Sequence, residues 1–245
     1  MWLGQFSVGA MLENIDLSIL NWPDVETGIR ESGYACTGPI LRPAQCRDLV
    51  ALYGDDARFR STIDMARYRF GEGQYRYFSY PLPGPLGAMR AALYRYLAPI
   101  ANRMASDMGG EASFPETHDA YLERCHAAGQ TRPTPLLLRY EEGGYNCLHQ
   151  DLYGELVFPL QAAILLDRPG EDFDGGEFLL VEQRPRAQSI GHVVPLGQGE
   201  MVIFPVNERP VQGVRGVYRC RMRHGVSRLR RGRRHTLGLI LHDAA

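Results

Sequence analysis

His149 and Asp151 stand one residue apart at the end of a run, Leu136 to Asp151, that reads as β-strand. A strand turns alternate side chains to one face, so the imidazole and the carboxylate enter a common space while Gln150 points away. Together they are two-thirds of a metal site. A third donor, His224, stands in the C-terminal segment RMRHGVSRLRRGRRHTLGLIL. Two imidazoles and a carboxylate on one face of a metal leave its other positions open, an arrangement that binds non-haem Fe(II) and also one that holds hydrolytic zinc. Ten positions after His224 comes Arg234, followed at the second residue by Thr236. On a strand those two side chains share a face about 7 Å apart, and a guanidinium beside a hydroxyl is a receptor for a carboxylate.

Such a receptor suits the distal carboxylate of 2-oxoglutarate and separates the iron reading from the zinc one. At these residues the chain resembles the Fe(II)- and 2-oxoglutarate-dependent oxygenases, whose pattern is H-x-D, a long interval, then a His followed at similar spacing by an Arg and a Ser or Thr on the next strand. His149, Asp151, His224 and Arg234 match it residue by residue. The resemblance covers roughly residues 134 to 243 and includes Asp174-Gly175-Gly176-Glu177 and the run Gly199 to Phe204. The segment from Arg139-Tyr140 to Asp151 also looks like the metal strand of AlkB-type nucleic-acid demethylases. It departs from them in carrying Leu138 where Asn is usual, and the interval to Arg234 is that of the prolyl-hydroxylase-like branch.

The resemblance implies a double-stranded β-helix with the metal at its open end. His149, Asp151 and His224 would hold Fe(II), and 2-oxoglutarate would chelate it, with its far carboxylate on Arg234 and Thr236. Tyr140 would hydrogen-bond the co-substrate or simply fill the core, and ascorbate would serve as an external reductant. The implied activity is hydroxylation of a C–H bond with release of succinate and CO2. Its substrate would be a small molecule, amino acid or peptide; the AlkB-like features imply instead oxidative dealkylation of damaged nucleic acid. A non-catalytic jelly-roll binder of a metal or carboxylate is the alternative from another class.

Elements must position these groups. Asn21-Trp22-Pro23 has the form of a helix start and Gly33 of its end, followed by a strand over 34–41 and a helix over 43–53. Residues 86–108 carry apolar side chains at helical spacing with a kink expected at Pro99, and a further helix over 116–128 bears His118 and His126. From Pro135 onward eight short strands with Gly, Pro and Asp between them suggest a barrel or jelly roll. The expected class is α+β, mainly β, in one domain 1–245: N-terminal helical support and a hairpin lid over 1–133, and a jelly-roll catalytic core over 134–245.

That lid is residues 59–80, where two alternating runs flank Gly71-Glu72-Gly73-Gln74. One face of its first strand would carry Arg67 and Arg69 and the other Tyr68 and Phe70, with Arg76 on the second strand. Either the arginines grip a substrate anion while a ring stacks on a planar group, or the aromatic face covers the barrel. Cys147 shares the parity of His149 and Asp151 and either faces inward near the metal or is a small core residue, the second reading being preferred.

With 44% hydrophobic and 22% charged residues and a net charge of −1, the chain is of ordinary globular composition and exerts no long-range pull on nucleic acid or anionic membranes. All 27 basic residues are Arg, and ten of them lie between Arg209 and Arg234, which predicts an electropositive mouth to the site. Five cysteines without C-x-x-C spacing argue against a disulfide framework. No leader is read in the first residues and no run reaches membrane-spanning length, so a cytoplasmic location is expected.

Overall fold

The computed structural model describes residues 15–111 and 113–245. Residues 1–14, in which no leader was read, lie outside that range. Two antiparallel sheets face each other, and helices cover the outer face of the larger one. The chain contributes α1 (Trp22–Ser32), β1 (Ala35–Pro39), α2 (Pro43–Ala51), β2 (Phe59–Asp64), β3 (Gly71–Glu72), β4 (Gln74–Phe78), α3 (Gly84–Asp107) and α4 (His118–Ala127). Strands β5 (Leu136–Glu141), β6 (Tyr145–His149), β7 (Leu160–Leu165), β8 (Phe173–Gly175), β9 (Phe178–Gln183) and β10 (Ile190–Val194) follow. The last are β11 (Glu200–Pro205), β12 (Glu208–Gly213), β13 (Gly216–Val226) and β14 (Leu229–Leu239). The larger sheet runs β1-β11-β7-β14-β5-β4-β2, with β8 on β14; the smaller runs β10-β9-β13-β6-β3, with β12 on β13. This is the expected double-stranded β-helix with helical support, and the two sheets do not close into a barrel.

Side-chain parity explains how one strand serves two compartments. All six residues of β7 are buried. Leu160, Ala162 and Ile164 enter the core shared with the helices, while Ala163 and Leu165 enter the clusters between the sheets. In β14, Leu237 and Leu239 face the helices, which leaves Arg234, Thr236 and Gly238 on the inner face. His235 points the other way, onto Asp167 and the ring of Tyr53.

α1 starts with Pro23 in its first turn and ends at Gly33, whose φ of 81° is the left-handed conformation glycine takes without strain. Trp22 stacks on Tyr96 of α3 at 4.4 Å. α3 runs through Pro99, whose ring sits on the exposed side.

The hairpin differs from expectation. β2 ends at Asp64, whose carboxylate caps the amide of Ala66, and residues 65–68 form a tight 3-10 turn seated on the fully buried Met65. A side-chain cap competes with strand pairing, so Arg67 and Arg69 do not share a strand face. Nor does the segment hang free as a flap: β4 pairs with β2 and β5 in one sheet and β3 with β6 in the other. β12 was hidden from sequence reading by Pro210, which a ladder tolerates only at an edge, where β12 pairs with β13 alone. β14 begins at Leu229, earlier than expected, because the polar run RRGRR shows no apolar alternation.

The C-terminus is bolted to the helices by a buried cation. Arg90, 1% exposed, donates to Asp243 at 2.9 Å and to the carbonyls of Ile240 and His242. Asp243 also accepts from Tyr80 and His126. Two histidines beside Arg90, His118 and His242, are held neutral: burial first, then the Arg90 charge, lowers each to about 4. A depressed histidine pKa means that between about 6.5 and about 4 the unfolded chain binds protons the native one refuses, so stability falls as pH drops through that window. Each histidine is worth up to roughly 3 kcal/mol. Urea midpoints should therefore fall between pH 7 and pH 4.5, and His118→Gln should flatten the slope; a variant with the wild-type slope contradicts this account.

Candidate active site

The site is assembled where β6 meets β13. The register of that pairing sets His224 directly opposite His149. Gly225 permits the approach, since a Cβ there would lie 2.6 Å from the carbonyl oxygen of Asn146. His149 Nε2 stands 3.5 Å from one oxygen of Asp151 and His224 Nε2 3.2 Å from the other. The three donor atoms lie within 4.8 Å of one another. Donors bound to one ion at about 2.1 Å and at right angles are about 3 Å apart, so these side chains could hold a divalent metal with little adjustment.

Neighbouring groups orient each donor. His149 Nδ1 donates to the carbonyl of Cys147 at 2.7 Å, which leaves Nε2 as the free lone pair. The ring of His224 is seated between Phe204, at 4.8 Å, and Phe178, at 6.0 Å. Asp151 accepts from the Tyr153 hydroxyl at 2.5 Å on one oxygen and from the Gln161 amide at 2.9 Å on the other. Burial alone would raise the Asp151 pKa, but His224 and His149 more than reverse it and hold the carboxyl well below the usual range. Burial likewise opposes charge on His149, and the Asp151 contact outweighs it, so that pKa is raised; His224 is lowered by burial and by the charge of His149.

The cavity has a volume of 340 Å³ and continues inward to Arg234 and Thr236. Arg234 is 2% exposed and donates to the Thr236 hydroxyl at 2.6 Å. Among the described residues no carboxylate lies within 4.0 Å of its guanidinium, and both its Nε and the hydroxyl of fully buried Tyr140 lack hydrogen-bond partners. Burial lowers the Arg234 pKa, and the more distant charges of Asp167 and Glu177 offset this only in part. A buried cation without a counter-charge is strongly disfavoured unless a ligand completes it. A carboxylate fits this cradle, and so the donor set and the receptor both suit a metal and a dicarboxylate.

Of the expected site residues the structure brings together His149, Asp151, His224, Arg234, Thr236 and Tyr140, all lining this cavity. Arg69 stands on its rim. Arg67 is exposed and outside the lining, and Arg76 is buried on the other side of its strand, bonded to Thr62, Asp56 and the carbonyl of Tyr53. The electropositive mouth does not form. Of the ten arginines from 209 to 234 only Arg234 lines the cavity; others pair with Glu182, Glu208, Glu177, Asp174 and Glu141. Cys147 is exposed on the rim, not in the core. Two residues were missed. Gln161 had a signal, as the lone polar residue in the apolar run Val157 to Leu166, whereas Tyr153 had none.

A protein family described as "Oxygenase, catalysing oxidative methylation of damaged DNA" matches residues 73–244. Uncharacterised proteins of two Mycobacterium tuberculosis strains are 51% identical over 168 residues, which is 69% of this chain and 72% of theirs. Among solved structures, a Pseudomonas putida prolyl-4-hydroxylase superposes with a TM-score of 0.54 at 16% identity, covering 89% of this chain and 96% of that one. A 2OG-Fe(II) oxygenase family oxidoreductase from Burkholderia pseudomallei gives 0.54 at 15% identity, covering 93% and 94%. At such identities the two structures speak to fold alone.

Because Tyr153 restrains a donor without itself being one, Tyr153→Phe should fold normally and weaken Co(II) binding roughly 10–100-fold. Calorimetric titration would measure this; an unchanged affinity would show that the hydroxyl does not orient the carboxylate.

Proposed function

The chain belongs to that family of oxygenases, and on this premise we propose that it is an Fe(II)- and 2-oxoglutarate-dependent oxygenase that hydroxylates a C–H bond of its substrate, releasing succinate and CO2. The observation that carries the reading is Arg234, a buried cation with no internal counter-charge, opening into the same cavity as His149, Asp151 and His224. His149, Asp151 and His224 would hold the metal, and Arg234, Thr236 and Tyr140 the distal carboxylate of the co-substrate. When bound, Fe(II) with 2-oxoglutarate and oxygen supplies the oxidising power.

The protein's own contribution is position and exclusion of water. Thr236 fixes the guanidinium by its hydrogen bond, so the carboxylate receptor is preorganised. Leu136, Leu138, Ile240 and Phe178 line the walls with apolar surface. The phenol of Tyr75, pushed up to about 12 by burial and then by the Asp151 charge, stays protonated at neutral pH and offers no base. None is required for hydrogen abstraction from carbon. We read the chain as one domain, 1–245, a reading supported by the hydrogen bonding of β1, β2 and β4 into the larger sheet and of β3 into the smaller. The five cysteines are free, which suits a reducing cytoplasm, and no described helix is long and apolar enough to cross a membrane.

The family's description favours a second reading of the substrate, oxidative dealkylation of damaged nucleic acid, and the exposed, stacked rings of Tyr68 and Phe70 beside the mouth are compatible with a base. Strongly salt-dependent binding of single-stranded DNA would support it.

Anaerobic addition of Fe(II) and 2-oxoglutarate should give a weak visible charge-transfer band, and admission of oxygen should yield succinate. Arg234→Ala should raise the half-saturating 2-oxoglutarate concentration roughly 30-fold or more, as expected when one partner of a buried charge pair is removed. If no band forms and activity follows Zn(II) without 2-oxoglutarate, the site is that of a hydrolase; a band without succinate would leave a binder.

A further inference from the structure

Within this oxygenase reading, we infer that the mouth of the cavity is built for a small substrate made of a flat apolar group bearing a single anion, held by Arg69, and not for a nucleic-acid backbone. Apart from Cys147 and the phenols of Tyr75, Tyr140 and Tyr153, five ionisable side chains line the cavity: Asp151, His149, His224, Arg234 and Arg69. The metal and co-substrate account for the first four. Arg69 remains. Among the described residues its guanidinium makes no hydrogen bond, ion pair or ring contact, and it is exposed at the rim.

Its placement is held by the backbone. Arg69 has φ 59° and ψ 30°, the left-handed conformation that a side chain with a Cβ rarely takes. Phe70 N–H donates to the carbonyl of Met65, and Cys147 N–H donates to the carbonyl of Phe70 at 2.8 Å, so the turn is pinned to β6 two residues before His149. Tyr68 and Phe70 stack at 5.6 Å, 56% and 46% exposed, and Leu148 lies on the rim. Behind them Tyr75, Leu136, Leu138 and Ile240 make an apolar passage. The surfaces offered are therefore a flat apolar bed and one free cation, whose planar fork suits a carboxylate or a phosphate monoester.

A polymer would need a track of cations. The groove running along β3 and the β5–β6 turn is lined instead by Asp64, Glu72, Glu141 and Glu142 against Arg139 and Arg228. Those two arginines are engaged already, Arg139 over the Tyr53 ring and Arg228 on the Gly143 carbonyl and the Tyr145 ring. Two of the acids are themselves paired, Glu141 with Arg233 and Asp64 with Arg67, so along this groove a phosphate backbone finds mixed charge and no run of unengaged arginines lining it.

The test uses 1-naphthoate and its neutral counterpart 1-naphthalenemethanol as probes, titrated calorimetrically into the full chain saturated with Mn(II) and 2-oxoglutarate. Arg69→Gly should weaken naphthoate roughly tenfold or more and leave the alcohol unchanged. Because glycine relieves the left-handed backbone, its Tm should not fall, and the Fe(II)–2-oxoglutarate band should persist, which separates loss of this site from failure of the oxygenase reading. For one anionic contact the slope of log affinity on log salt should be no steeper than about −1. The proposal is overturned if naphthoate affinity responds to Arg234→Ala and not to Arg69→Gly. It is equally overturned if a single-stranded hexanucleotide binds more tightly than naphthoate with a slope of several charges.

Discussion

The constraint on which the site depends is the register of β6 against β13. With His224 facing His149 across the ladder, both imidazoles enter the space between the sheets, and a slip by one residue would turn His224 to the outer face. That register is held from both sides of β13, by β9 along six residue pairs and by β12 along another six. At Gly225 there is no room for a Cβ against the carbonyls of Asn146 and Cys147, and any side chain there would push β6 away. The minor sheet is thus a frame for two nitrogens, and its remaining residues serve that placement.

Three arginines are almost completely buried, and the way each is neutralised tells its role. Arg90 has Asp243, and Arg209 has Glu182 at 2.5 Å, so both are closed within the protein and act as internal ties. Arg234 has a hydroxyl and two aromatic rings but no carboxylate. Desolvating a cation costs several kcal/mol unless an anion compensates, so the fold that completes two of these pairs leaves the third for a ligand to complete. Gly176 supports this arrangement, since a Cβ there would meet Leu229 and the Arg234 side chain.

Polarity follows from the same division of faces. Most arginines of the C-terminal segment point outward from the sheets and pair with acids on adjacent strands, which is why a stretch so basic in sequence contributes one cation to the cavity. The lone Gln161 on the otherwise apolar β7 marks the opposite case, a polar residue turned inward because a carboxylate waits for its amide.

Local periodicity was enough to show that Arg234 and Thr236 share a face, because alternation along a strand is a property of the backbone alone; it also paired His149 with Asp151, although β6 ends at His149 and Asp151 lies two residues beyond it. It also showed the ends of α1, where proline and glycine act within a few residues. Tertiary structure alone decided which charges remain free. Whether Arg76 or Arg69 faces the cavity depends on Asp64 capping a turn and on β4 joining β5, contacts between residues far apart in the chain. Tyr153 bonds Asp151 from only two residues away, but past the end of β6, where strand alternation no longer says which way a side chain points. Residue types and their period prescribe which chemistry is available; the pairing of distant strands determines which of those groups meet and which are left for a ligand.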